Sequence, residues 1–422
     1  MGGESEIGSY SSTGGGSSAP TCSNATSPPV QACEGGAEEA FACGPFRGGS
    51  NLQHGDDAVY LLSSGTGRIL RFDKAEPGSA TVVDTANGSA VNMLVDEPYV
   101  YWTGSGGIGR TGTAPGATGE LLASPCFPTT TGDLVADSTS IYWSTYAPPF
   151  QSVTLRLDKD TSRPATSVLL QGETRGCFGA DGARLYHWSP SVISALDKNA
   201  RCSCECAEAA SSSAGGAGGA PGDASGSSGN GTGGINGGGG FTSADVLSCQ
   251  TSSGIGLNPG AGGTPGYYED CGGQDVTVLY ESPGAQIQGV VMDESHIYFS
   301  SYQTISRLTK DGQVSTILPA PEDAGYRAII YDFALDATSV YAYRTVSLFP
   351  GGDNPRSEIL RIAKDGSEVA SLYERPNELV RAMAVDDTHI YMLVVDGAGE
   401  CNFTLVRLPK ALTPADAGPD AN

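Results

Sequence analysis

Residues 137–144 read Asp-Ser-Thr-Ser-Ile-Tyr-Trp-Ser, and the grammar of this stretch returns along the whole chain. A β-branched or Leu residue followed by Tyr recurs at Val59-Tyr60, Val100-Tyr101, Ile141-Tyr142, Leu185-Tyr186, Ile297-Tyr298, Val340-Tyr341 and Ile390-Tyr391. The tyrosines stand 41, 41, 44, 112, 43 and 50 residues apart. Removing about 70 residues of Gly-rich insertion from the long gap restores one period, so there are seven copies of a single structural unit. Five residues before the Tyr lies Asp96, Asp137, Asp181, Asp293, Asp336 or Asp386, and the first copy has Asp56 one place out of step. Upstream of this Asp the chain is apolar at successive positions, as in Met93-Leu94-Val95 and Phe333-Ala334-Leu335. Such runs predict a strand buried on both faces. Downstream comes a strand with the pattern Arg-apolar-x-Lys, at Arg71/Lys74, Arg156/Lys159, Arg307/Lys310, Arg361/Lys364 and Arg407/Lys410; the second copy keeps only Arg110 and the fourth only Lys198. A turn such as Asp311-Gly312 and a fourth strand such as Ala80–Val83 or Ser315–Leu318 complete the unit.

Four short antiparallel strands, repeated seven times, predict an all-β, seven-bladed β-propeller of four-stranded antiparallel blades over residues 37–411. The last copy ends at Lys410 with no fourth strand behind it. The segment near Ala37–Phe46 is therefore expected to supply that strand and close the ring, since an open ring leaves an exposed sheet edge. Residues 201–274 form a low-complexity, Cys-containing insertion between the third and fourth strands of blade 4. Its 207–240 stretch is almost all Gly, Ser and Ala, too poor in apolar area to offset ordering entropy, so disorder is expected there. The same expectation holds for residues 1–36 and 412–422.

Tyr101-Trp102-Thr103 and Ile141-Tyr142-Trp143-Ser144, each preceded by an Asp and followed by an Ile/Leu-x-Arg strand, resemble the YWTD and NHL-type propeller repeats. The likeness spans about residues 46–411 apart from the insertion and implies a propeller fold. No copy has the fourth-position Asp of the YWTD tetrapeptide, and the copies number seven where that family has six blades. No ligand-binding residue is carried over.

Acidic side chains outnumber basic ones 47 to 23, giving a net charge of −24. Nucleic acid is thereby excluded as a partner, because binding a phosphate backbone needs a basic stripe. No stretch is apolar for long enough to span a bilayer as a helix. Eleven cysteines, mostly in loops and ends, point to an oxidising compartment: extracellular, periplasmic or cell surface, lipoprotein-type attachment included. Met1–Tyr10 has neither the basic start nor the apolar centre of a signal peptide. Candidate disulfides are Cys126 with Cys177, Cys43 with Cys401, and Cys22 with Cys33. Cys202-Ser203-Cys204-Glu205-Cys206 reads as disulfide-forming in preference to a zinc site, whose cysteine pairs are spaced C-x2-C or wider.

Other motifs lose their chemistry in context. Residues 104–109 spell the letters of G-x-G-x-x-G but join two strands of one blade, where no helix N-terminus follows to hold pyrophosphate. His296 and His389 share a slot two before the repeat Tyr that elsewhere holds Tyr99, Ser140, Arg184 or Ser339, as a solvent-facing turn position would. The recurring Asp reads as a turn residue accepting backbone N–H groups, and the twelve basic residues of the Arg-x-x-Lys slots read as part of the fold. A slot nine residues before the Tyr varies instead: Asn92, Asp133, Cys177, Gly289, Asp332 and Ala382, with Asn51 in the first copy. It lies at the start of the innermost strand, so Asn92, Asp133 and Asp332 could converge at the channel mouth as oxygen ligands for Ca²⁺, or could be strand-start Asx turns facing water.

Two functions follow. The preferred one is a non-catalytic, secreted or surface-associated, monomeric propeller that binds a protein or carbohydrate ligand through its loop rim. The alternative is a metal-assisted hydrolase or lactonase at the channel mouth, which requires a carboxylate cluster with metal or histidine; the slot offers two Asp and one or two Asn, with no Glu or His in register.

Overall fold

The computed structural model describes residues 39–44, 49–63, 67–76, 80–85, 90–104, 107–123, 129–147, 151–160, 166–172, 176–198, 276–282, 284, 286–321, 326–348, 356–376, 378–396 and 403–410. They form seven four-stranded antiparallel sheets, the blades of a propeller. Blade 1 is Gly49–His54, Ala58–Ser63, Arg68–Asp73 and Ala80–Thr85, in that spatial order. Blades 2 to 6 repeat this meander. Blade 4 pairs its third strand Val192–Asp197 with Thr277–Glu281, its fourth, on the far side of the predicted insertion.

Blade 7 takes three strands from the end of the chain and its outermost from the beginning. Glu39–Gly44 pairs antiparallel with Phe403–Pro409, Glu39 opposite Arg407 and Gly44 opposite Phe403. Glu39–Gly44, within the segment expected to supply this strand, thus closes the ring. The expected disordered segments 1–36, 201–274 and 412–422 lie outside the described residues, as do Cys22, Cys33, Cys126 and Cys401. Among the described residues no helix is long and apolar enough to cross a membrane.

Apolar clusters sit between blades. Tyr60, Leu62 and Ile69 of blade 1 pack with Met93 and Trp102 of blade 2, and Ala382, Tyr391 and Leu393 of blade 7 pack with Leu52, Val59 and Phe72 of blade 1. The deepest strand is the second of each blade: all six residues of Ala58–Ser63 are buried, whereas Gly289–Met292, a first strand, is half-buried throughout. The apolar run before the Asp is buried throughout in blade 7, at Ala382–Val385, as its sequence predicts, whereas in blades 2, 3 and 6 only its first residue, Met93, Leu134 or Phe333, is fully buried. The innermost strand keeps one edge on the axial channel, while the second strand has a neighbour on every side.

Candidate functional site

The two rims of the propeller use their polar residues differently. On one rim lie the turns between first and second strands. Asp137 Oδ1 there accepts the backbone N–H of Thr139 and Ser140, both at 2.8 Å, while Oδ2 accepts the Tyr142 hydroxyl at 2.9 Å and Lys198 Nζ of blade 4 at 2.7 Å. The pattern is general. An Asp of one blade holds the Lys of the next in Asp96–Lys159, Asp137–Lys198, Asp181–Lys310, Asp293–Lys364, Asp336–Lys410 and, across the closure, Asp386–Lys74, all at 2.6–2.9 Å. Arg side chains add a second tie: Arg156 Nη1 donates to Lys198 O at 3.3 Å and Arg407 Nη1 to Lys74 O at 3.1 Å. Although burial opposes it, these Lys, hydroxyl and backbone donors hold the Asp137, Asp181, Asp293, Asp336 and Asp386 carboxyls well below the usual carboxylate range. The blade 1–blade 2 junction differs because the second copy has no Lys in that slot; there Glu97 Oε1 accepts the Asp56 N–H at 2.9 Å. Asp96 also departs from the turn role, pairing with Tyr99 as the last residue of its strand. This rim is committed to holding the blades together.

On the opposite rim the first strands begin and the second strands turn into the third. The variable slot lies here. Asn51, Asn92, Gly289, Asp332 and Ala382 stand opposite Leu62, Thr103, Ser300, Tyr343 and Leu393, each two residues past the repeat Tyr. Blade 4 corrects the sequence alignment of this slot. A bulge at Phe178 shifts its register, so Gly176 stands opposite Trp188 at the mouth and Cys177 lies one step deeper, opposite His187. Glycine suits the position, since a Cβ at Gly176 would come within 3.0 Å of Asp133 Oδ2.

Three slot side chains clip neighbouring blades. Asn51 Nδ2 donates to Met93 O at 3.1 Å. Asp133, in the irregular stretch between Thr130 and Leu134, accepts a bond from the Trp188 indole of blade 4. Asp332 accepts the backbone N–H of Phe333 at 2.9 Å and that of Met383 in blade 7. Asn92 has interactions of its own. Asp133 keeps contact with solvent while packed deeply enough that burial pushes its carboxyl upward. Burial pushes Asp332 up to about 6, and the Asp133 charge adds to the effect despite two opposing N–H bonds. The structure therefore brings Asp133 and Asp332, from blades 3 and 6, within electrostatic reach across the mouth. Asn92 sits on a third blade, and among the described residues no three His, Cys, Asp or Glu side chains are placed to hold a metal.

Behind Asp133 lies a buried polar knot. His187 is fully buried, its Nδ1 3.4 Å from Thr154 Oγ1, and burial drops its pKa to about 3. Cys177, expected to pair with Cys126, which lies outside the described residues, is here a free thiol with Sγ 3.6 Å from Asp133 O, pushed up to about 12 by burial. Neither group offers a base or a nucleophile near neutral pH.

Sequence reasoning missed an exposed hairpin on this rim. In blade 5 the hairpin Ser301-Tyr302-Gln303-Thr304 places Tyr302 at φ 51°, in the left-handed region that costs a side-chain-bearing residue about 1–2 kcal/mol. Ile330 of blade 6 donates its N–H to Tyr302 O at 2.8 Å, and the Tyr302 hydroxyl donates to Gln286 Oε1 at 3.1 Å. Ser301, Tyr302, Gln303 and Ala328 line an open cleft of about 400 Å³. Beyond it Tyr331, at a bulge, is 60% exposed and stacks on Tyr343, with ring centroids 5.7 Å apart.

No family model matches the chain, and no curated protein matches its sequence. Among solved structures it is similar to the β-propeller domain of Cps50 (Swd1) from Myceliophteria thermophila, at 9% identity and a TM-score of 0.50, covering 85% of this chain and 96% of that one. A streptogramin B lyase structure gives 12% identity and a TM-score of 0.49 over 86% of this chain and 94% of that one. Virginiamycin B lyase from Staphylococcus aureus gives 12% and 0.46 over 86% and 96%. The likeness concerns the fold alone.

Proposed function

We propose that this propeller is a non-catalytic binding module, secreted or held at a cell surface, that takes its ligand on the rim bearing the starts of the first strands. One observation carries the reading: the groups a hydrolase would use there are already engaged in the fold. Asp133 holds the Trp188 indole, Asp332 holds two backbone N–H groups, and His187 is sealed from solvent. The opposite rim is committed to the Asp–Lys ties, which leaves this one for recognition. The YWTD/NHL-type reading of Tyr101-Trp102-Thr103 and Ile141-Tyr142-Trp143-Ser144, and export with disulfides such as Cys43–Cys401, belong to the same proposal.

A second reading has one observation in its favour. The Asp133 charge adds to the cost of ionising Asp332, so a cation between them, with Asn92 as a further oxygen ligand, would relieve it. Calcium-dependent hydrolysis of esters or lactones would then be the activity. Both readings meet one test. The purified chain is incubated with aryl esters and lactones, with and without Ca²⁺, while its melting temperature is followed against the Ca²⁺ concentration. The binding reading expects no turnover above buffer and no rise in melting temperature. Ca²⁺-dependent turnover abolished by Asp133→Asn would replace it with the hydrolase.

A further inference from the structure

We infer that the cleft beside Tyr302 is a subsite for a neutral carbohydrate. The inference rests on the binding reading above and adds its ligand class and place. Tyr302 occupies the first corner of a two-residue hairpin, where glycine would be free of strain, yet a large aromatic stands there with 41% of its surface in water. Its backbone is fixed by the Ile330 N–H and its hydroxyl by Gln286, so the ring is held out as a rigid platform instead of folding onto the protein. A rigid, amphipathic ring gives contact area at little entropic cost. Around it the polar groups are uncharged: the Gln303 amide, the Ser301 hydroxyl bonded to Thr304 Oγ1 at 2.7 Å, and the Gln286 amide. Among the described residues the Gln303 amide has no hydrogen-bond partner, leaving donors and an acceptor for a ligand.

An aromatic face flanked by amides and a hydroxyl matches the two sides of a pyranose ring, whose C–H face stacks while its hydroxyls exchange hydrogen bonds. Among the described residues no charged side chain lines the cleft, and a chain of net charge −24 repels anions, which favours a neutral sugar. The cleft volume is on the scale of small-molecule sites, and its openness to solvent suits an internal stretch of a longer chain.

The test uses the full chain with neutral hexasaccharides of β-1,4-linked glucose, α-1,4-linked glucose and β-1,4-linked N-acetylglucosamine as probes. Binding is read by saturation-transfer NMR and calorimetry, alongside a panel of peptides. At least one hexasaccharide is expected to bind with Kd of about 0.1–1 mM, as open, single-platform sites do. Tyr302→Gly should raise that Kd at least tenfold while leaving the melting temperature unchanged or higher, because it relieves the backbone; Tyr302→Phe should stay within about threefold. A hexasaccharide bound equally well by Tyr302→Gly would overturn the cleft as its site. Peptide binding with no sugar binding would overturn the ligand class while the binding module stands. Cleavage of a hexasaccharide would overturn the non-catalytic reading beneath it.

Discussion

Replacing Asp137 by Ala removes one node of the inter-blade ring. Five hydrogen bonds go with it: two from the backbone N–H groups of Thr139 and Ser140, one from the Tyr142 hydroxyl, one from Lys198 Nζ, and one from the exposed Thr139 hydroxyl, which water can replace. Tyr142 is fully buried, and the Lys198 and Asp137 side chains are only 13% and 11% exposed, so water replaces these partners poorly. At about 1 kcal/mol for each of the other four bonds, with an added penalty for the Lys left unpaired, Asp137→Ala should cost about 4–5 kcal/mol. Lys198→Met removes only the ion pair and keeps the packed methylenes, for about 1–2 kcal/mol. Scanning calorimetry should show the Asp137→Ala transition about 5–10 °C lower, with the double variant less destabilised than the sum of the two. Asp365→Ala is the control, since Asp365 is an exposed turn Asp bonded only to Ser367. If Asp137→Ala moves the transition no more than Asp365→Ala does, the inter-blade ties do not stabilise the ring.

Two further outcomes follow from protonation. The latch carboxyls are held below their unfolded values, so their stabilisation is complete above the ordinary carboxylate range of about 4 and is lost progressively as pH falls below that range towards their own lower values, which melting temperatures measured from pH 6 downwards should show. Asp332 has the opposite sign: raised to about 6, it destabilises the fold above that pH and ceases to do so below about 4, so Asp332→Asn should raise the melting temperature at pH 8 and change it little at pH 4. An equal effect at both pH values would contradict the burial assigned to this carboxyl. Cys177, buried and pushed up to about 12, should resist alkylation at pH 8 in the native chain and react once denatured, as read by mass spectrometry of its peptide; native-state labelling would contradict the burial.

The blades were legible because each copy carries its own instructions. The spacing from Asp137 to Tyr142 is set within one turn, so seven repetitions expose the unit, and the missing fourth strand after Lys410 announced the closure by Glu39–Gly44. The partner of Asp137 was not legible, since Lys198 lies 61 residues away and only the ring geometry makes it a neighbour. Counting back nine residues from the Tyr fails at Cys177, because the bulge at Phe178 changes the register without changing the spacing. The Tyr302 hairpin left no trace either: Ser-Tyr-Gln-Thr contains none of the Gly, Asn or Asp residues that mark a positive-φ turn. Variation among copies singled out the rim where the first strands begin, and the backbone decided which side chains there face solvent.

A pair of truncations probes the ring itself. A chain starting at residue 39 retains the strand that pairs with Phe403–Pro409, whereas one starting at residue 45 lacks it. The first should melt like the full chain, and the second at least 10 °C lower, or it should aggregate through the bared edge of blade 7, a larger loss than any single latch variant. Equal melting temperatures for the two would contradict a propeller closed by its own N-terminal strand.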